Sequence, residues 1–228
     1  MYFSSNWLIF VGIPAIIAII AQFRVSSAFK KYAQVPSSSN LTGADVAREI
    51  LNAAQIHDVS VEQIDGFLGD HYDPLKKRLC LSRETYSTPS LAAVGIAAHE
   101  TGHAIQHARA YAPLQWRMTI VPVTQIASNM LPFVVIGGLW FHMFFLLKLG
   151  VLVYLVLTVF QLITLPVEYD ASRRAKIILS QMGIVRPGPE EDGVRDMLGA
   201  AALTYVAAFV ASLGNLLWLL SLTSSRRD

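Results

Sequence analysis

Ala97-Ala98-His99-Glu100-Thr101-Gly102-His103-Ala104-Ile105-Gln106-His107 is the stretch from which the rest of this chain can be read. It contains His-Glu-x-x-His. On a helix, residues four apart lie one turn apart on one face. His99 and His103 can therefore offer two imidazole nitrogens to a single Zn²⁺. Glu100 then falls beside a metal-bound water, where a general base is needed. The flanks predict the helix: Thr88 as its cap, Pro89 in its first turn, and Leu91 to Ala98 mostly helix-compatible. Gly102 and its small neighbours leave room for another element, or a substrate, to come close.

The composition is not that of a wholly soluble protein. Of 228 residues, 54% are hydrophobic and 15% charged, and the apolar residues come in long runs. A net charge of +2 gives no electrostatic footprint for nucleic acid. The single cysteine, Cys80, excludes an intramolecular disulfide and fits a reducing compartment. Alternating with Leu79 and Leu81, it reads as a strand residue rather than a nucleophile.

Hydropathy organises the chain into five segments. Trp7 to Ala21, extending to Phe23, has no basic stretch before it and no small-residue cleavage site after it, so residues 1–23 read as an uncleaved anchor. Residues 24–117 are soluble-like. Residues 118–166 carry one charge, Lys148, and suffice for two spans of about 20 residues each, with the turn between Phe141 and Gly150. Residues 167–198 read as a polar helix and connector, and 199–228 as a fourth span with a tail. Segments 24–117 and 167–198 hold 15 of the 18 Lys and Arg. The excess of positive charge places them in the cytoplasm, with the chain a multi-pass protein of the cell membrane.

Within 24–117, Pro36 to Asn40 reads as a linker and Thr42 to Ala54 as an amphipathic helix. Val59 to Ile64 reads as a strand, followed by the turn signal Asp65-Gly66 and an extended piece at Phe67-Leu68. His71-Tyr72-Asp73-Pro74 reads as a break. Lys77 to Ser82 alternates as another strand, whose edge could pair with an extended peptide. The fold class is mainly α: four transmembrane helices plus a small α+β domain.

A hydrolytic zinc site commonly has three protein ligands and one open position. The third must come from outside the first helix. His107 lies a further turn along, His142 falls in the apolar hairpin, and His71 also reads as part of a turn. Glu168 is the best choice, because it begins a helix on the correct side of the membrane and Ala171 lets that helix pack closely. Asp170 is the reserve, or else a hydrogen-bond partner for the outer nitrogen of a ligating histidine. Tyr169, Arg173, Tyr205 and His107 are further candidates for that outer layer or for stabilising an oxyanion.

Three stretches carry a resemblance: Gly69-Asp70-His71-Tyr72-Asp73-Pro74, the His-Glu-x-x-His stretch, and Glu168-Tyr169-Asp170-Ala171-Ser172-Arg173-Arg174. Together they resemble the YugP-type neutral zinc metallopeptidases, which are bacterial membrane proteins, and more distantly the gluzincins of the HtpX type. The resemblance implies His99, His103 and Glu168 as zinc ligands, Glu100 as base, and peptide or protein substrates. The gluzincins' third-ligand motif is Glu-x-x-Ala-Asp; here Ser172 stands where that Asp would be. Two other readings compete: a membrane scaffold with a structural metal, which would want His107 or His71 as a fourth ligand, and a site-2-type intramembrane protease. The latter needs its motif inside a span, and Leu91 to Ala98 is too short for one.

Overall fold

The computed structural model describes residues 5–66 and 69–224; the extended piece expected at Phe67-Leu68 lies outside them. Helix dominates. A short α1 (Ser5–Trp7) and a π-helical turn (Leu8–Gly12) lead into α2 (Ile13–Ala33). Then come α3 (Gly43–Ala53), β1 (Ser60–Ile64), β2 (His71–Asp73), β3 (Arg78–Ser82), α4 (Arg83–Ser87) and α5 (Leu91–Ala108). Three long helices complete the chain: α6 (Ala112–Trp140), α7 (Phe144–Gln181) and α8 (Pro189–Ser224).

Four helical stretches are long and apolar enough to cross a membrane: Leu8–Ala33, α6, α7 and α8. The break in the apolar hairpin falls at residues 141–143. Pro122, Pro132 and Pro166 all sit inside helices, as apolar surroundings and neighbouring helices allow. Glu168 does not start a new helix. It lies inside α7, which runs unbroken past Pro166 to Gln181. Beyond it Gly183, at φ +66°, takes the left-handed conformation that ends the helix.

The chain divides into two compact units. One comprises the described residues of Met1–Gln22, Gln115–Pro166 and Leu203–Asp228; the other is Phe23–Leu114 with Val167–Ala202. In the first, Leu147, Trp218 and Leu219 form a buried cluster. In the second, α5 is the central element and is buried along most of its length. One apolar cluster gathers Val46 and Ile50 of α3, Val94 and Ile105 of α5, Leu179 of α7 and Val194 of α8. Another packs Ala97 of α5 against Leu79 and Leu81 of β3 and Ala47 of α3. A helix that faces a sheet on one side and helices on the other is buried nearly all round, and the first half of α5, Leu91 to Ala98, is apolar throughout.

Several local expectations change. Ser90, not Thr88, caps α5: its hydroxyl accepts from the Ala93 N–H at 3.2 Å. Thr88 instead follows the end of α4 and donates to the Glu84 carbonyl. The linker reading of Pro36 to Asn40 gives way to a docked segment, because the Ser37 N–H donates to the Pro89 carbonyl at 2.8 Å and Pro36 bridges to Ser90. Thr42 caps α3 in a reciprocal box with Asp45. The residues His71 to Asp73, read as a break, form a strand.

The sheet order is β1-β3-β2, with β1 parallel and β2 antiparallel to β3. The Lys77 to Ser82 strand is therefore central, and both its edges are occupied. The expectation that it presents a free edge is overturned. Its residues are mostly buried, so it alternates in sequence without alternating in exposure, because it is covered on both faces. The short β2 is an edge strand instead.

Candidate metal centre

His99 and His103 share one face of α5, as their spacing requires. Their rings meet edge to face with centroids 4.9 Å apart. Across from them, α7 presents Glu168. Its Oε2 lies 3.2 Å from His99 Nε2 and 3.5 Å from His103 Nε2. All three side chains are buried, and their donor atoms lie within 4.8 Å of one another. Two imidazoles and a carboxylate converging on one point make a donor set that suits a small divalent cation such as zinc.

What brings α7 so close is Gly102. A Cβ at this position would lie 2.9 Å from the Ala171 carbonyl oxygen and 3.2 Å from its Cα. The obstacle is backbone, which cannot swing aside. Gly102→Ala is expected to push α7 away from α5, to cost about 1–3 kcal/mol of stability, and to weaken metal binding. Gly199 in α8 is the control, since a Cβ there meets nothing within 4 Å. Thermal unfolding of the two variants with and without zinc checks this; equal melting points would remove the close-approach argument.

The outer nitrogens of both histidines are held, which fixes the rings. For His103 the hydrogen-bond network also fixes the tautomer. Gln106 Nε2 lies 2.8 Å from the Val167 carbonyl and 3.0 Å from Asp170 Oδ2. Both partners only accept, so the amide NH₂ must face them. That turns Gln106 Oε1 toward His103 Nδ1 at 3.0 Å. Since Oε1 only accepts, the proton sits on Nδ1, and the Nε2 lone pair is free for a metal. Asp170 is in turn clamped by Arg173 at 2.8 Å and Arg174 at 2.5 Å. Asp170 thus reaches the site only through Gln106. The partner of His99 Nδ1 is Ser172 Oγ at 3.1 Å, the residue standing where the related motif has Asp. A hydroxyl can accept from Nδ1–H as a carboxylate does, with less charge.

Gln106 and Ser172 were absent from the sequence-derived candidates. Both have a local signal: Gln106 is three residues beyond His103, and Ser172 four beyond Glu168, so each shares a helix face with a member of the donor cluster.

Glu100 lies on the next flank of α5 and is partly buried. The backbone N–H of Tyr72, on β2, donates to its Oε2 at 3.1 Å. Burial pushes the Glu100 carboxyl up from the ordinary carboxylate range, while His99 and His103 pull it back. Burial alone would lower His103, but the adjacent Glu168 carboxylate outweighs it and the net shift is upward. A carboxylate drawn toward neutrality is the better proton acceptor and donor near pH 7.

The remaining candidates are dispersed. His107 Nδ1 meets the Tyr72 hydroxyl at 2.9 Å and lies outside the donor cluster. That phenol, its pKa pushed up to about 12 by burial and by Asp58 and Asp73, stays protonated and anchors β2 to α5. His71 is exposed and turned to the Gly69 carbonyl. Tyr169 is half-exposed, Arg173 is taken by Asp170, and Tyr205 belongs to the other unit.

Comparison with known proteins gives the family of the chain. The sequence model of a family described as "Putative neutral zinc metallopeptidase" matches residues 7–224. A relative from Bacillus subtilis (strain 168), described as "Putative membrane protease YugP", is 44% identical over 221 residues, covering 96% of this chain and 98% of that protein. No solved structure matches. With its family match running from before the first apolar helix to the end of the last, the chain belongs to the neutral zinc metallopeptidase family so described.

Proposed function

We propose that this chain is a membrane zinc endopeptidase in which His99, His103 and Glu168 hold the metal and Glu100 is the general base. The observation that carries it is the convergence of three buried donors from two helices, with a partly buried carboxylate one residue from the first of them. Zinc, when bound there, supplies a Lewis acid for the peptide carbonyl and a water acidified to a pKa of about 7. Glu100 takes the proton from the attacking water and delivers it to the leaving amine. The Tyr72 amide holds the Glu100 carboxylate in place for both transfers. Gln106 and Ser172 keep the two imidazoles turned inward throughout. The outer edge of β2, whose Tyr72 N–H already reaches Glu100, lies where an extended peptide would pass the base.

A purely structural metal would call for a fourth protein ligand. Among the described residues the cluster contains three, and His107 and His71 have partners elsewhere. The open position speaks for catalysis. Nor is α5 among the four helices apolar enough to cross a membrane, which disfavours the intramembrane reading.

Purified protein is expected to contain one zinc per chain and to cleave unstructured polypeptide. A chelator should abolish cleavage and added zinc restore it. A protein that binds zinc and cleaves no peptide under any of these conditions would count against the proposal.

We further infer that the peptidase segment faces the cytoplasm, on the charge asymmetry. A single cysteine at Ser38, in a Cys80→Ser background, should resist an impermeant thiol reagent on intact cells and react once they are opened. Labelling from outside would reverse the orientation.

A further inference from the structure

We propose that two copies of this chain pair within the membrane through one face of α6, at Gln125, Ser128 and Asn129. These residues are spaced three and four apart and share a helix face. All three are exposed. With Val121, Thr124 and Phe160 they line a groove of about 460 Å³.

Their depth makes them unusual. The exposed Trp116 and Trp140 mark the two ends of the apolar part of α6, where membrane helices place tryptophan. At 1.5 Å per residue, Gln125 lies about 13 Å beyond the first and Asn129 about 16 Å short of the second. Both amides are therefore at mid-span. Five other polar side chains of the long helices satisfy themselves on their own backbone. Thr119, Thr124, Thr158 and Thr164 each donate to the carbonyl four residues back, and so does Asn215, at 2.8 Å. Among the described residues, the side chains of Gln125, Ser128 and Asn129 make no hydrogen bond at all.

An unpaired carboxamide in hydrocarbon is costly at every moment, not only during turnover. Its partner must therefore be permanent, and a passing substrate helix is not. A carboxamide carries both donor and acceptor, so a surface bearing two of them is its own complement. Around a two-fold axis along the membrane normal, Asn129 meets Asn129 and Gln125 meets Gln125 of the second copy. Ser128, small and between them, permits close approach of the helices. No charge on this face opposes the pairing.

The test is disulfide trapping in native membranes, in a Cys80→Ala background. Ser128→Cys is expected to give a cross-linked species of twice the chain mass. Val123→Cys, exposed on the far side of α6, is expected to give none. Equal cross-linking at both positions, none at either, or a product of another mass would overturn the proposal. The last would mean a different partner helix. A second measurement uses energy transfer between labelled copies diluted into lipid vesicles. The Gln125→Leu/Asn129→Leu variant should dissociate roughly ten- to a hundredfold more readily than the parent, with its zinc content unchanged. Unaltered self-association in that variant would equally sink the idea.

Discussion

Replacing Glu100 by Gln is expected to leave zinc in place and to lower peptide hydrolysis by roughly a hundred- to ten-thousandfold. The substitution keeps the shape of the side chain. The Gln oxygen can still accept the Tyr72 N–H that now reaches Glu100 Oε2, so β2 stays where it is. What disappears is the ability to take a proton from water and return it to the amine. Zinc analysis and hydrolysis of a fluorogenic polypeptide, made on the same preparation, separate the two effects. Full activity in a zinc-loaded Glu100→Gln protein would show that the base lies elsewhere. Loss of both zinc and activity would show that Glu100 is a ligand, which its place outside the donor cluster contradicts.

The second large effect concerns Glu168. Glu168→Ala removes the one carboxylate of the buried triad and leaves two imidazoles from a single helix to hold the metal. Zinc affinity should fall by more than it does on removing any outer partner. Asp170→Ala should cost about 10–100-fold, the range usual for groups that orient a ligand. The route of that loss is specific. Without Asp170, Gln106 keeps its bond to the Val167 carbonyl but is no longer pinned against rotation, and His103 loses a fixed acceptor. Gln106→Ala should therefore cost as much as Asp170→Ala. The double variant should cost little more than either alone, since residues in one network are not additive. Competition titration of zinc against a chelator measures all four proteins. If Glu168→Ala binds like the parent while Asp170→Ala does not, the ligand has been misassigned between two carboxylates on one helix.

The two helices of this site show what each level of description can reach. That His99 and His103 point the same way follows from helix periodicity alone, a local property that needs no partner. The four apolar helices are equally local, because hydropathy summed over about 20 residues decides whether a segment can enter a bilayer. Glu168 was within reach because zinc chemistry demands a third donor and few remained. Three features were not legible in the chain. Asp170 acts through Gln106 and not on a histidine. The group that Ser172 meets is His99 Nδ1. The alternating strand at Lys77 to Ser82 lies in the middle of its sheet. Each depends on where one segment crosses another distant in sequence. His99 and Glu168 are 69 residues apart, and their approach is set by the packing of Gly102 against the Ala171 backbone. Periodicity says which face of a helix a side chain occupies. Only the packed structure says what stands opposite, because a polar group's partner is chosen by the distance of closest approach between backbones, and that distance is a property of two segments together.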